Sequence, residues 1–164
     1  MKKYALLSLW FLVVHFSFGQ ENTTVRNPRA FYKKGYDIRL LGPTPLLSVS
    51  MNYFVNQNVN LEAGIGLIGA FGGIEYYLGK KEKRNLTVPY AGLKVGYMTL
   101  PDIDPALGGS SDAWGKFATV YLPVGVQLMT MNGFHISLEG ALFATFGYHR
   151  NAAPWGSLKI GKNF

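Results

Sequence analysis

Two stretches of this 164-residue chain carry side chains able to do chemistry. The run His135-Ile136-Ser137-Leu138-Glu139 spaces a histidine, a serine and a glutamate two residues apart. On an extended strand that spacing puts all three on one face, and a serine nucleophile, a histidine base and an acid to orient it are the parts of a hydrolase. Asp102, Asp104 and Asp112 offer the oxygen ligands calcium takes, but their spacing is not that of an EF-hand loop, and Gly108, Gly109, Ser110 and Ser111 look like a solvated tip. After residue 19 the only histidines are His135 and His149, too few for a transition-metal site, so no metal and no cofactor is expected. Lys80, Lys81, Lys83 and Arg84 form a basic turn. Nucleic-acid binding needs an extended patch with stacking aromatics, so the turn reads as solvated, with anionic lipid head groups or an acidic partner as the alternative.

The elements that must carry these residues follow from composition and period. Only 15% of the residues are charged, against roughly 25% in a soluble domain, while 48% are hydrophobic, so the chain is too apolar to be disordered. Cysteine is absent, which excludes disulfides, thiolate metal sites, a thiol nucleophile and a lipid-modified N-terminal cysteine. Residues 1–19 carry Lys2 and Lys3, an apolar run from Ala5 to Phe18, and small residues at Ser17 and Gly19. These are the parts of a cleaved secretory signal, and the apolar run is too short for a spanning helix. Removing it leaves a formal charge of +5 out of +7 and an exported protein. Residues 20–34 are polar, contain Pro28 and show no period, so they read as a leader outside the fold.

From Tyr36 onward the period is two. Alternation runs through 46–55, 58–67, 70–78, 87–99, 117–129, 133–148 and 155–164, which predicts seven strands with two unlike faces. Tyr36, Ile38 and Leu40 against Asp37, Arg39 and Leu41 make an eighth, closed by Pro43 and Pro45; the alternative joins 36–55 into one bent edge strand. With eight strands both chain ends fall on one side and the long 101–115 connector on the other. Tyr36, Tyr53, Tyr76, Tyr97, Tyr148 and Trp155 fall near strand ends, as rings at a lipid–water boundary do.

The apolar rows are unbroken over five or six alternate positions, whereas the polar rows are rich in glycine. An eight-stranded barrel has an interior only wide enough for side chains and cannot hold a row of Leu, Ile, Phe and Tyr from every strand. Turned outward into lipid, those rows need no such space, and only a closed barrel satisfies every backbone group there. The interior is then expected to hold Asp37, Arg39, Glu62, Glu75, Lys94, Glu139 and Lys159, with Ser48, Ser50, Asn52, Asn60, Gln127, His135 and Ser137. Four acids against three bases is near balance, which predicts an ion-pair network and no open pore.

A signal segment, eight alternating strands, short turns on one side with longer loops on the other, and a last strand ending in Phe164 together resemble the small eight-stranded outer-membrane β-barrels of the OmpX/OmpA transmembrane type. The resemblance covers nearly all of the chain after residue 19 and is one of pattern. It implies an all-β, eight-stranded antiparallel up-and-down transmembrane barrel with a filled polar lumen in a Gram-negative outer membrane, its ends in the periplasm and the 101–115 loop outside the cell. The division expected is a signal peptide at 1–19, a periplasmic leader at 20–34 and a barrel at 35–164. Implied partners are outer-membrane lipids and lipopolysaccharide, other outer-membrane proteins, and the barrel-assembly machinery, which reads the C-terminal aromatic Phe164 behind Leu158 and Ile160; Lys162 departs from that pattern. His135-x-Ser137 is also loosely similar to the His-x-Ser element of outer-membrane lipid A deacylases, where an Asn follows and Leu138 stands here. The topology puts those residues inside the lumen near the periplasmic end, away from an outer-leaflet substrate. The expectation is a non-enzymatic barrel with a structural, surface-interaction or accessory-subunit role. A lipid-processing hydrolase using His135, Ser137 and Glu139, and a soluble exported lipocalin-like barrel, are the alternatives.

Overall fold

The structure is a computed structural model that describes residues 27–78, 86–101, 114–147 and 151–164. A single turn of helix, α1 (Pro28–Phe31), precedes eight strands: β1 (Lys34–Leu40), β2 (Leu47–Phe54), β3 (Val59–Gly66), β4 (Gly69–Tyr77), β5 (Leu86–Pro101), β6 (Trp114–Met129), β7 (Phe134–Phe146) and β8 (Asn151–Asn163). Each strand pairs antiparallel with its neighbours in chain order, and β1 pairs with β8, so the sheet closes. Residues 36–40 are therefore a strand of their own. The chain turns between β1 and β2 through 41–46, where Leu41 and Leu46 take positive φ and the Leu41 amide donates to the Leu46 carbonyl at 2.8 Å.

We call the end that holds the start of β1 and the end of β8 the lower end. There β6 turns into β7 through Thr130–Gly133. Gly133 takes φ +82, a conformation that an L side chain disfavours, and its amide donates to the Thr130 carbonyl. The walls differ in length. Strands β1 to β4 have seven to nine residues, whereas β5 and β6 have sixteen and β7 and β8 thirteen.

Alternation sets which side chains enter the lumen. On β7, Phe134, Ile136 and Leu138 face outward while His135, Ser137 and Glu139 are buried. Met51 and Leu138 are 74% and 69% exposed, while Arg39, Glu75 and Lys94 are 0% exposed. This packing is the reverse of what a lipocalin-like barrel with an apolar interior needs, which removes that alternative. Two small apolar groups sit within the lumen: Phe54, Tyr77, Val88 and Tyr90 at the lower end, and Met98, Tyr121 and Phe143 at the upper end. Charged residues fill the level between.

Two expectations need correction. The 20–34 segment is not wholly outside the fold, because residues 27–34 close the lower end and begin β1. Asn27 caps α1 by accepting from the Arg29 amide at 3.0 Å, and Pro28 pre-sets the first turn. That turn drives the Arg29 side chain into the barrel mouth, where it is buried. Trp155 does not join an outward aromatic belt: it shares parity with the inward Ser157 and Lys159, and its ring lies 5.7 Å from Phe143. Tyr36, Tyr53, Tyr76 and Tyr97 do face outward. Residues 1–19, the basic turn Lys80–Arg84, the aspartates 102, 104 and 112, Tyr148 and His149 lie outside the described residues.

Candidate functional site in the barrel lumen

The seven ionisable residues that alternation assigns to the interior all point into the lumen, and six of them meet there from six strands. Arg39 of β1 donates from Nη2 to Glu62 of β3 at 2.7 Å and from Nη1 to Glu139 of β7 at 2.8 Å. Lys94 of β5 lies 2.7 Å from both Glu62 and Glu75. Lys159 of β8 lies 2.9 Å from Glu75 and 3.5 Å from Glu62. Three acids and three bases are thus joined in one network of ion pairs. Hydroxyls and amides satisfy what remains of the carboxylates. Ser50 donates to Glu62 at 2.7 Å, Asn60 and Tyr77 donate to Glu75 at 3.1 and 2.7 Å, and Tyr90 and Tyr121 donate to Glu139 at 2.6 and 2.9 Å.

The small residues of the polar rows give this cluster its room. A Cβ placed on Gly125 would lie 3.1 Å from the Tyr90 ring and 3.2 Å from Glu139, closer than ordinary packing allows. Glycine-rich polar rows are thus the counterpart of long side chains on the paired residues of neighbouring strands, such as Tyr90 and Glu139 beside Gly125 and Lys94 beside Gly73.

Asp37 stands apart from the six. Its Oδ1 meets His135 Nε2 at 2.5 Å and its Oδ2 accepts from Asn52 at 2.8 Å. Asn163 donates to Asn52 and to the Tyr32 carbonyl, which ties this pair to the closing turn below. Arg29 adds a cation that the alternation argument missed, since it enters from a helical turn instead of a strand. Its guanidinium lies 4.2 Å from the Tyr77 ring centroid and 5.7 Å from that of Phe54, and it donates to the Gln57 carbonyl at 3.2 Å. Burial pulls its pKa down to about 10, opposed by Tyr77 and Glu75, so it stays charged at neutral pH. Counting Arg29 against Asp37, the interior holds four acids and four bases without His135.

The hydrolase arrangement is not assembled. His135, Ser137 and Glu139 share the inner face of β7, but His135 pairs with Asp37 and Glu139 is taken up by Arg39, Tyr90 and Tyr121. Ser137 Oγ has no hydrogen-bond partner among the described residues, whereas an activated serine needs its base within about 3.2 Å. Ser137 is also 0% exposed. The three are parts of a filled interior. Phe164, the expected assembly element, is exposed at the lower end with its ring 6.2 Å from Tyr36. Among the described residues no three His, Asp or Glu side chains are grouped to hold a metal ion.

No protein-family model matches the chain, and no curated protein matches it. Among solved structures it is similar to the crystal structure of the N-terminal β-barrel domain of Pseudomonas aeruginosa OprF, at 18% identity and a TM-score of 0.50, over 81% of this chain and 98% of that one. The likeness is one of fold. It agrees with the resemblance to small eight-stranded barrels that the alternating pattern carried.

Proposed function

We propose that this chain is a non-enzymatic integral outer-membrane β-barrel with a structural, surface-interaction or accessory-subunit role in a larger membrane assembly. One observation carries the reading: outward rows of Leu, Ile, Val, Met and Tyr surround a closed sheet whose ionisable side chains are sealed within. In water such a surface is an aggregation liability, whereas in a bilayer it is the required exterior, and closure leaves no strand without two neighbours over the central band. Similarity to an OprF barrel domain supports the same placement. The interior supports a scaffold, because its acids and bases are spent on each other. Contact with outer-membrane lipids and lipopolysaccharide, and reading of Phe164 by the assembly machinery, belong to this proposal.

Fractionation of native membranes tests it. The chain is expected in the outer-membrane fraction, resistant to carbonate extraction and running as a heat-shifted band in gels. Extraction in mild detergent followed by native electrophoresis is expected to keep it in a complex larger than the monomer. Release into the aqueous fraction overturns the membrane reading, and migration as a lone monomer overturns the accessory-subunit role.

A further inference from the structure

We infer that the upper edge of β8 is a docking strand for an extended segment of a different polypeptide; this rests on the accessory-subunit role proposed above and names the surface that would serve it. β8 pairs with β7 along its length, from Asn151 opposite Thr145 to Lys162 opposite Phe134. With β1 it pairs only from Asn163 up to Leu158, opposite Leu40. Above Leu40 the chain leaves the wall through the turn that contains Pro43 and Pro45, so, among the described residues, 151–157 have a strand partner on one side alone.

The ladder fixes which groups are left over. Phe164 exchanges both backbone bonds with Lys34 of β1, at 2.7 and 3.3 Å, while the Asn163 amide donates to Gly133 on the β7 side. By alternation the even residues of β8 face β1. Ala152 and Gly156 therefore direct an N–H and a C=O each into the open side, and Pro154 directs a C=O. None of these groups has a backbone partner among the described residues. Pro154 is tolerated inside the strand for the same reason, since its missing N–H lies on the unpaired edge.

Beside this edge runs a groove of about 590 Å³ lined by Leu40, Leu138, Pro154 and Leu158 together with Glu139 and Ser157. Gly156 gives it a floor of bare backbone, and the paired Gly140 lies next to it on the outer face: a Cβ on Gly140 would meet nothing within 4 Å, and one on Gly156 only the Glu139 carbonyl at 3.8 Å. Trp155 also lines the groove and donates from Nε1 to the Leu41 carbonyl at 2.9 Å, which fixes the ring beside the turn that follows β1.

Hydrogen-bond complementarity selects the occupant. The edge offers two donors and three acceptors in an apolar setting, where an unpaired backbone group is costly. An acyl chain supplies neither partner, whereas an extended peptide supplies both. Edge-to-edge pairing of β8 with the same strand of a second copy does not fit. Two copies inserted the same way round are related by an axis along the membrane normal, which sets the edge against itself in parallel, donor level with donor. The occupant proposed is a strand of a different polypeptide. It carries non-proline residues opposite Ala152 and Gly156, no charge, and a bulky apolar side chain over the glycine floor.

The chain has no cysteine and is open to site-specific probes. A benzoylphenylalanine photocrosslinker replaces Ala152, Gly156 or, as control, the outward Val95 of β5, each in the full chain in native membranes. Both edge probes are expected to capture the same polypeptide, with adducts mapping to one short segment whose two crosslinked residues are about four apart. Gly156→Pro removes an edge donor without touching the β7 ladder and is expected to lower capture from position 152 roughly fivefold in barrels that keep the heat-shifted band. Ala152→Pro, read from the probe at 156, serves if Gly156→Pro loses that band. Lipid adducts alone, self-dimers alone, or capture no greater than from Val95 overturn the docking strand. A native gel run in parallel separates the two ideas: migration in a complex with lipid-only adducts overturns the edge and leaves the accessory role standing, whereas a lone monomer overturns the role itself.

Discussion

Leu138 and Glu139 are consecutive residues of β7 and stand in two different media. Leu138 is 69% exposed on an outer wall of apolar rows, and Glu139 is 3% exposed within a ring of hydroxyls and cations. Outside, stability asks only that a side chain be apolar, since its neighbours there are solvent molecules of the bilayer in the placement proposed. Inside, each group has named partners, and the cost of an error is the cost of leaving them unpaired. The same strand is thus permissive on one face and exacting on the other, and substitutions at neighbouring positions should fail for unlike reasons.

The largest loss is expected from Glu62→Gln. Glu62 is within hydrogen-bonding or ion-pair range of Arg39, Lys94 and Lys159, so the change leaves three buried cations facing two acids. Breaking one partner of a buried pair costs about 3–5 kcal/mol. The fall is read from the urea midpoint of the barrel in bilayers. Adding Lys94→Gln restores the charge balance and should recover part of the loss, a coupling that independent sites would not show.

Next comes Val124→Arg on the outer face. Val124 is 66% exposed, and an arginine near the bilayer midplane costs about 2–4 kcal/mol. Among the described strand residues that face outward, the charged ones are Lys34, Lys116 and Lys162, all near strand ends. The penalty should therefore shrink when the arginine is moved toward either end of β6, and a loss independent of depth would break the distinction between the two faces.

That distinction was legible in the sequence because a period of two fixes parity, and parity decides which face a residue joins. Glu62, Glu75, Lys94, Glu139 and Lys159 could be gathered into one interior from alternation alone. Which acid meets which base could not, because pairing across a barrel depends on the register of every ladder between the two strands, and no local pattern encodes that. Glu139 shows the gap: His135 and Ser137 are its sequence neighbours on the face, yet its partners Arg39 and Tyr90 lie 100 and 49 residues away. Arg29 escaped for another reason. It lies outside the alternating segments, and its only local signal was the Asn27-Pro28 helix start, which says that the chain turns but not where the next side chain goes.

Arg29→Ala is expected to cost about 1 kcal/mol, the worth of a cation over aromatic faces together with one bond to a carbonyl. The loss stays small because Arg29 Nε and Nη2 have no partner among the described residues, so removing the cation also removes a burial cost. The urea midpoint should move slightly while the heat-shifted band persists. A loss as large as that from Glu62→Gln would mean that the lower turn belongs to the central network instead of sealing it.

The smallest effect belongs to Gly140→Ala. Gly140 and Gly125 are paired neighbours of Val124 and Glu139, so one lies on each face of the same stretch of sheet. Gly125 has no room for a methyl group because the Leu138 carbonyl would lie 2.6 Å from it, with Tyr90 and Glu139 just beyond, whereas the space over Gly140 is open. An alanine at 140 narrows the unfolded chain's freedom and meets no obstacle in the barrel, so the midpoint should stay level or rise by up to about 1 kcal/mol. Any marked loss in the purified barrel would show that the outer wall is packed as exactingly as the lumen. A neutral result in the purified barrel, with weakened capture at the β8 edge in native membranes, would show instead that the bare floor is kept open for a neighbour and not for the fold.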